Sequence, residues 1–505
     1  MRQTVVQDVY AHGRGYAARL RAPTAGWGWR VALVAPLVGM GLALSAGFCV
    51  AALRALGLSW PITFPEGAQL AAVLRVRDGE SLYLDFRQFP YLITPYPPVL
   101  YLAAGLLSRA LDLSVPATLV ATRGITLLAS LAAAGAIFAL ARAAGAARLA
   151  ALAGAGLLLP LPLLDKWGYT IRPDLPALAL SLLAALLLLR QPERVAPAAA
   201  VAALAFLTKQ TMVALPVAAV IWLWWDGRRA GAGRFAGTWL GLVLGSFLLL
   251  HLLTDGRHEL NVVLAQLNPT NGLEVTLRGF LPLPNQAWLP IGLAIGALVS
   301  ELLRRGRLGL LGCYWLVALG VALFTLRGRG SNVNYLIESA ALACALAAVA
   351  VDQLWRRLDS TSRLGRLAAV PLAAATLIWG LQTGQYWRER GGVDPERRAP
   401  IQEIAEARSV LAEEALFVVL AGKPVLLSDP FQLSQLTSAG RWDPADLVQR
   451  IKRDEFDLIV LQGDVRQPRF AKGQPFWPEA VRQAIKDQYV PAGRVGIFWL
   501  YAPER

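Results

Sequence analysis

The sequence is poor in charge, in cysteine and in histidine, and each shortage excludes something. Charged residues fill 16% of the 505 positions, against roughly 25% in soluble domains, so lipid is expected as the main solvent. Cys49, Cys313 and Cys344 all fall inside apolar runs. A thiol there behaves as a small apolar side chain, and no disulfide framework or thiolate metal site is expected. His12, His251 and His258 are too scattered along the chain to suggest a zinc site. Acids are outnumbered too, 34 against 49 lysines and arginines, for a formal charge of +15. The basic residues sit in short clusters between apolar runs and not along one amphipathic face, which argues against a nucleic-acid partner.

What the chain has is long apolar runs. Stretches such as 31–53, 235–253 and 333–351 are each about 20 residues, the length that crosses about 30 Å of hydrocarbon. Eleven spans are expected, at 29–57, 117–141, 149–165, 175–190, 196–208, 211–225, 235–254, 286–303, 308–326, 333–352 and 367–384. The first begins near Trp29, is too long for a signal-peptide core and reads as an uncleaved span. Arg14, Arg19, Arg21 and Arg30 precede it. Arg142 and Arg148, Arg190 and Arg194, Arg228, Arg229 and Arg234, Arg304, Arg305 and Arg307, and Arg356, Arg357, Arg363 and Arg366 fill every second loop after it. Such clusters mark the cytoplasmic side. Loops 58–116, 166–174, 255–285 and 327–332 are then outside, as is the C-terminus. Segment 97–111 is short for a span and contains Arg109, so it is expected to lie as a helix at the outer membrane surface.

Charged residues become frequent after Tyr386. Residues 1–385 read as a transmembrane module and 386–505 as a soluble periplasmic α/β domain, with a turn and strand at 421–427, a helix at 444–453, and strands at 456–462 and 495–501. The fold class is an α-helical polytopic inner-membrane protein of about eleven spans with a small C-terminal α/β domain.

The outer loops carry polar residues that a merely connecting loop does not need. Glu66 follows the first span, where a partly desolvated carboxylate could take a proton from a hydroxyl; it also begins a helical run, where an acid is favourable without any chemistry. Asp78, Asp85 and Tyr96 share that loop. The second outer loop holds Lys166, Trp167, Tyr169, Arg172 and Asp174, a mixture of cations and rings suited to an anionic headgroup with a sugar stacked beside it. Asp174 after Pro173 equally suits a helix start. Lys209 interrupts the run 196–225, and a lysine at such a break normally faces a water-filled cavity. Arg123 lies inside a span, where an unpaired cation is expensive. Arg327, Arg329, Asn334 and Tyr335 form another outer turn, with Glu338 just inside the next span. Several cations on the outer side, against the orientation rule, are the pattern of a site for a phosphate-bearing lipid.

Over roughly residues 29–352 this arrangement resembles the GT-C superfamily of membrane glycosyltransferases, which includes protein O-mannosyltransferases and the aminoarabinose transferase of lipid A. The resemblance rests on Glu66, Gly79 to Tyr83, Tyr96-Pro97-Pro98, Arg123, Arg172-Pro-Asp174, Leu207-Thr-Lys209 and Asn334-Tyr335-Leu-Ile-Glu338. It implies that Glu66 is the catalytic base and that Arg123, Lys209 and the turn at 327–329 hold the lipid phosphate. Asp174 would lie near the sugar or support the site. The implied partners are a polyprenyl-phosphate sugar donor, a hydroxyl acceptor on a lipid, glycan or protein, and membrane lipids. The reaction is displacement with inversion, with the cations stabilising the leaving phosphate. No cofactor is required. A divalent metal is possible but not indicated, because the single Glu66 follows a proline where the family often has paired acids. The alternative is a transporter or flippase of a lipid-linked glycan, but no internal repeat supports it.

Overall fold

The computed structural model describes residues 27–358, 363–390, 399–467, 470–471 and 474–504. Arg14, Arg19, Arg21 and His12 lie outside the described residues. Apart from 149–165, the expected spans fall on helices, from Trp27–Leu56 to Arg363–Arg390. Four helices are long and apolar enough to cross a membrane, namely Val34–Leu56, Val115–Ala143, Arg229–Thr254 and Val333–Arg356. Leu273–Gln286 and Trp288–Arg305 pass the same test as a pair, with an 88° bend between them. The chain is therefore a multi-helix membrane protein. In lipid a backbone must satisfy its own hydrogen bonds, and the helix does this within one segment.

Residues 149–165 do not form the single helix expected. Arg148–Leu158 stops short of Pro160, and a short turn of 3-10 helix, Pro162–Leu164, follows. Proline lacks the N–H that would continue the ladder. The helix Ile337–Leu358 runs through the middle of the bundle and packs on Trp288–Arg305, Arg148–Leu158 and Leu310–Thr325. Its buried face is mostly alanine, including Ala340, Ala341, Ala343, Ala347 and Ala348, and small residues let backbones approach closely. At the crossing with Arg148–Leu158, a Cβ on Gly154 would come within 2.6 Å of Ala348 Cβ. On the outside, Leu240, Leu244, Leu248 and Leu252 form an exposed row along Arg229–Thr254, the face expected toward lipid.

The first loop forms two helices, Glu66–Asp78 and Val99–Ala110, packed against each other. The second is the helix expected at 97–111, and it exposes Leu102, Leu106 and Leu107. Over these helices sits an α/β unit made by residues 401–503. Its four-stranded sheet has the order Val410–Ala412, Leu458–Gln462, Phe498–Pro503, Tyr489–Val495, with the first pair parallel and the others antiparallel. The expected strand at 421–427 is instead a turn after the helix Ala415–Leu420, because Gly422 is left-handed and Pro424 has no N–H. A single parallel bridge joins Leu427 to Tyr91. The expected closing strand at 495–501 is one arm of a hairpin that turns at the left-handed Gly496.

The α/β unit docks directly on the first loop. Tyr91 donates to Asp446 at 2.5 Å, and Phe64 packs edge-on against Phe476. The closest approach is at Gly67, where a Cβ would lie 2.0 Å from the Leu416 nitrogen. Only glycine leaves room for that contact.

Candidate active site

The loop between Leu164 and Asp174 is folded by its own residues. Lys166 adopts a left-handed backbone, and Gly168 allows the ring of Phe48 to close against the chain. Asp165 accepts from the hydroxyls of Tyr169 and Tyr386 at 2.9 and 2.7 Å, which anchors the loop to the last helix of the bundle. Pro173 then opens the helix Asp174–Arg190 and places Asp174 at its positive end.

Three helix ends meet at Asp174. Lys209, in extended conformation just past the helix Val195–Thr208, puts Nζ 2.6 Å from Asp174 Oδ1. Asn334 Nδ2 donates to the same oxygen at 2.7 Å. Arg172 Nε stands 3.5 Å from Asp174 Oδ2. The Arg172 guanidinium lies over the rings of Trp167 and Tyr96, 4.9 and 5.4 Å from their centroids, and Lys209 lies 4.7 Å from the Tyr335 centroid. All four polar residues are buried. Three of their atoms, Asp174 Oδ2, Arg172 Nε and Asn334 Oδ1, have no hydrogen-bond partner. Buried polar atoms are nearly always paired, so a cluster of unpaired ones is a place for a polar group from elsewhere. A small opening beside it is lined by Lys209, Thr211, Asn334, Tyr335 and Glu338. Glu338 accepts from Tyr314 Oη at 2.6 Å.

Glu66, at the start of its helix, and Arg123, inside the helix Val115–Ala143, pair with each other. Both are 0% exposed. Arg123 Nε and Nη2 each reach a Glu66 oxygen at 2.8 Å. The other Glu66 contacts are the backbone amides of Ile62 and Ile171, at 2.7 and 3.1 Å. The remaining Arg123 donors go to the carbonyls of Ala55, Leu56, Leu58 and Trp60. Those are the frayed carbonyls at the end of the first helix, and a guanidinium is well suited to collect them. In this structure both Glu66 oxygens accept two bonds each, and every Arg123 donor is used within the protein. Together they tie the first helix, the helix Glu66–Asp78 and the loop carrying Arg172 into one body.

The other expected residues divide. Tyr96, Arg172, Asp174, Lys209, Asn334 and Tyr335 come together, with Glu338 adjacent. Lys166 is exposed on its turn. Asp78 and Asp85 form local pairs with Arg77 and Arg87 at 2.7 and 2.8 Å. Arg327 is exposed, and the backbone of its turn bonds to loop 269–271 through Asn271 and, at Arg329, Pro269. Among the described residues no group of three or more His, Cys, Asp or Glu is placed to hold a metal ion. Sequence reasoning missed Glu414 and Asp429, two carboxyls of the α/β unit. Glu414 feels the charges of Glu66 and Asp429. Asp429 feels that of Arg172. No local pattern signals either, because docking on the first loop puts them there.

Residues 98–253 match the model of the dolichyl-phosphate-mannose-protein mannosyltransferase family. No curated protein matches the chain. Among solved structures, ArnT from Cupriavidus metallidurans, in its apo state and bound to undecaprenyl phosphate, is similar with a TM-score of 0.59 at 14% identity, over 90% of this chain and 97% of that one. The oligosaccharyltransferase of Archaeoglobus fulgidus is similar with a TM-score of 0.55 at 12% identity, over 94% of this chain and 74% of that one. Identities this low establish the fold, and the chain has the fold of the GT-C superfamily of membrane glycosyltransferases.

Proposed function

We propose that the chain is an inverting glycosyltransferase of the inner membrane. It moves a sugar from a polyprenyl-phosphate donor to a hydroxyl on a lipid, glycan or protein acceptor at the periplasmic face. The observation that carries this reading is the Asp174 cluster, with two buried cations around one buried carboxylate and three side-chain atoms that lack a hydrogen-bond partner. Arg172 and Lys209 would hold the donor phosphate, a planar fork and a point charge suited to its oxygens. Asp174 sets the separation of the two cations, and its Oδ2, which stands 3.5 Å from Arg172 Nε without a hydrogen bond, would accept from a sugar hydroxyl. As the bond from the anomeric carbon to the phosphate oxygen breaks, charge grows on the leaving group beside cations already in place, which is where fixed electrostatics contribute most. The undecaprenyl phosphate bound by ArnT supports a lipid phosphate as the ligand class.

The test is donor dependence. Lys209→Met keeps the stem and removes the charge. It should raise the donor concentration needed for half-maximal transfer about tenfold or more, or about 1.4 kcal/mol. An unchanged donor requirement would remove Lys209 from the phosphate site.

A further inference from the structure

With Glu66 fully engaged and Asp174 held by cations, the acceptor's proton needs another destination. We propose that the α/β unit supplies it: Asp429 is the general base that takes the acceptor hydroxyl's proton. This rests on the glycosyltransfer reading of the same site.

The placement comes from the chain path. The Leu426 carbonyl accepts from Tyr91 N at 2.9 Å, the Tyr91 carbonyl accepts from Ser428 N at 3.2 Å, and Ser428 Oγ accepts from Ile93 N at 2.8 Å. The bridge between Tyr91 and Leu427 is parallel, so two residues on, Asp429 comes level with Ile93. Tyr96, whose ring holds Arg172, is three residues further along the same segment. The helix Pro430–Ser438 starts at Asp429, whose Oδ1 accepts from Gln432 N at 2.9 Å. That bond fixes the side chain's direction, and Asp429 is half-buried where Glu66 and Asp174 are fully so. The α/β unit thus brings a carboxyl of its own beside the first loop, within electrostatic reach of Arg172.

The charged and titratable groups that interact electrostatically with Asp429 are Arg172, Tyr96 and Glu414. Desolvation raises its pKa to about 6, with the Gln432 amide and Arg172 pulling the other way. A carboxyl in that range is ionised at neutral pH and still basic enough to take a proton in the transition state. In the step, the acceptor O–H proton passes to Asp429 and the acceptor oxygen bonds to the anomeric carbon. The bond from that carbon to the phosphate oxygen breaks, and its electron pair leaves with the polyprenyl phosphate.

Asp429→Asn is the first test, because asparagine keeps the helix cap. Measured as single-turnover transfer by the full-length protein with saturating donor, it should lose about 10²- to 10⁴-fold in rate with donor affinity unchanged. The wild-type rate should fall as pH drops through about 6, and the variant should lack that limb. Acceptors with more acidic hydroxyls should narrow the deficit, because they need less help from a base. Asp429→Ser, another capping residue, repeats the test if the asparagine variant folds poorly. Retention of rate within a few-fold, or a loss confined to donor affinity, overturns the proposal. Wild type that binds donor yet transfers nothing defeats the glycosyltransfer reading and this proposal with it, whereas active wild type beside equally active Asp429→Asn defeats the proposal alone.

Discussion

Changing Glu66 to glutamine separates a structural carboxylate from a catalytic one. In the structure, each Glu66 oxygen takes one bond from Arg123 and one from a backbone amide, of Ile171 or Ile62. Glutamine offers one oxygen, and its amide hydrogens would point at donors. Arg123 would keep four carbonyls but lose its counter-charge at 0% exposure. Breaking a buried ion pair by removing one partner costs about 3–5 kcal/mol, a large share of the roughly 5–15 kcal/mol that holds a typical domain together. Glu66→Gln should therefore lower expression and the unfolding temperature of the detergent-solubilised full-length protein, read by size-exclusion chromatography after heating. Glu66→Leu combined with Arg123→Leu removes both charges and should recover much of the loss, since apolar replacement of a whole buried pair is often nearly neutral. The reasoning is refuted if Glu66→Gln folds and melts like wild type, binds donor normally and transfers nothing. That result would return the role of base to Glu66.

Glu414 is buried, and desolvation, with further repulsion from Glu66, Glu413 and Asp429, lifts its pKa well above the ordinary glutamate value. The folded state then holds this proton more tightly than the unfolded one, so stability falls as pH rises above the unfolded pKa of about 4.3. Glu414→Gln should raise the unfolding temperature at neutral pH with little change near pH 4; an equal shift at both values would contradict the assignment. Gly67→Ala should loosen the α/β unit from the first loop, because its Cβ would meet the Leu416 nitrogen. Faster protease cleavage near residue 400 would show it, and unchanged cleavage would mean the contact is not tight. A reporter fused at the C-terminus that is active only in the periplasm should be active; activity of a cytoplasm-only reporter would reverse the topology.

The helices were legible because lipid leaves the backbone few alternatives, and the break at Lys209 was visible as one polar triplet in an apolar run. Arg123 could be seen to require a partner, since a lone cation inside a span is costly. Its partner could not be identified. Glu66 is 57 positions away, and their meeting depends on how the first helix ends against the span Val115–Ala143. The same limit hid Asp429: a capping aspartate before Pro430 looks like any helix start until the bridge at Tyr91 shows what it stands beside. Arg172, Asp174 and Lys209 were recoverable because each is a charged residue at a helix boundary in an otherwise apolar region.

The central claim is direct transfer from a lipid phosphate. The purified full-length protein, reconstituted in liposomes with a labelled polyprenyl-phosphate sugar and an acceptor extract, puts it to the test. Label should move to the acceptor with inverted anomeric configuration, and one polyprenyl phosphate should be released for each sugar transferred. Retained configuration would contradict the single displacement, and passage of intact donor across the bilayer without cleavage would make the chain a transporter.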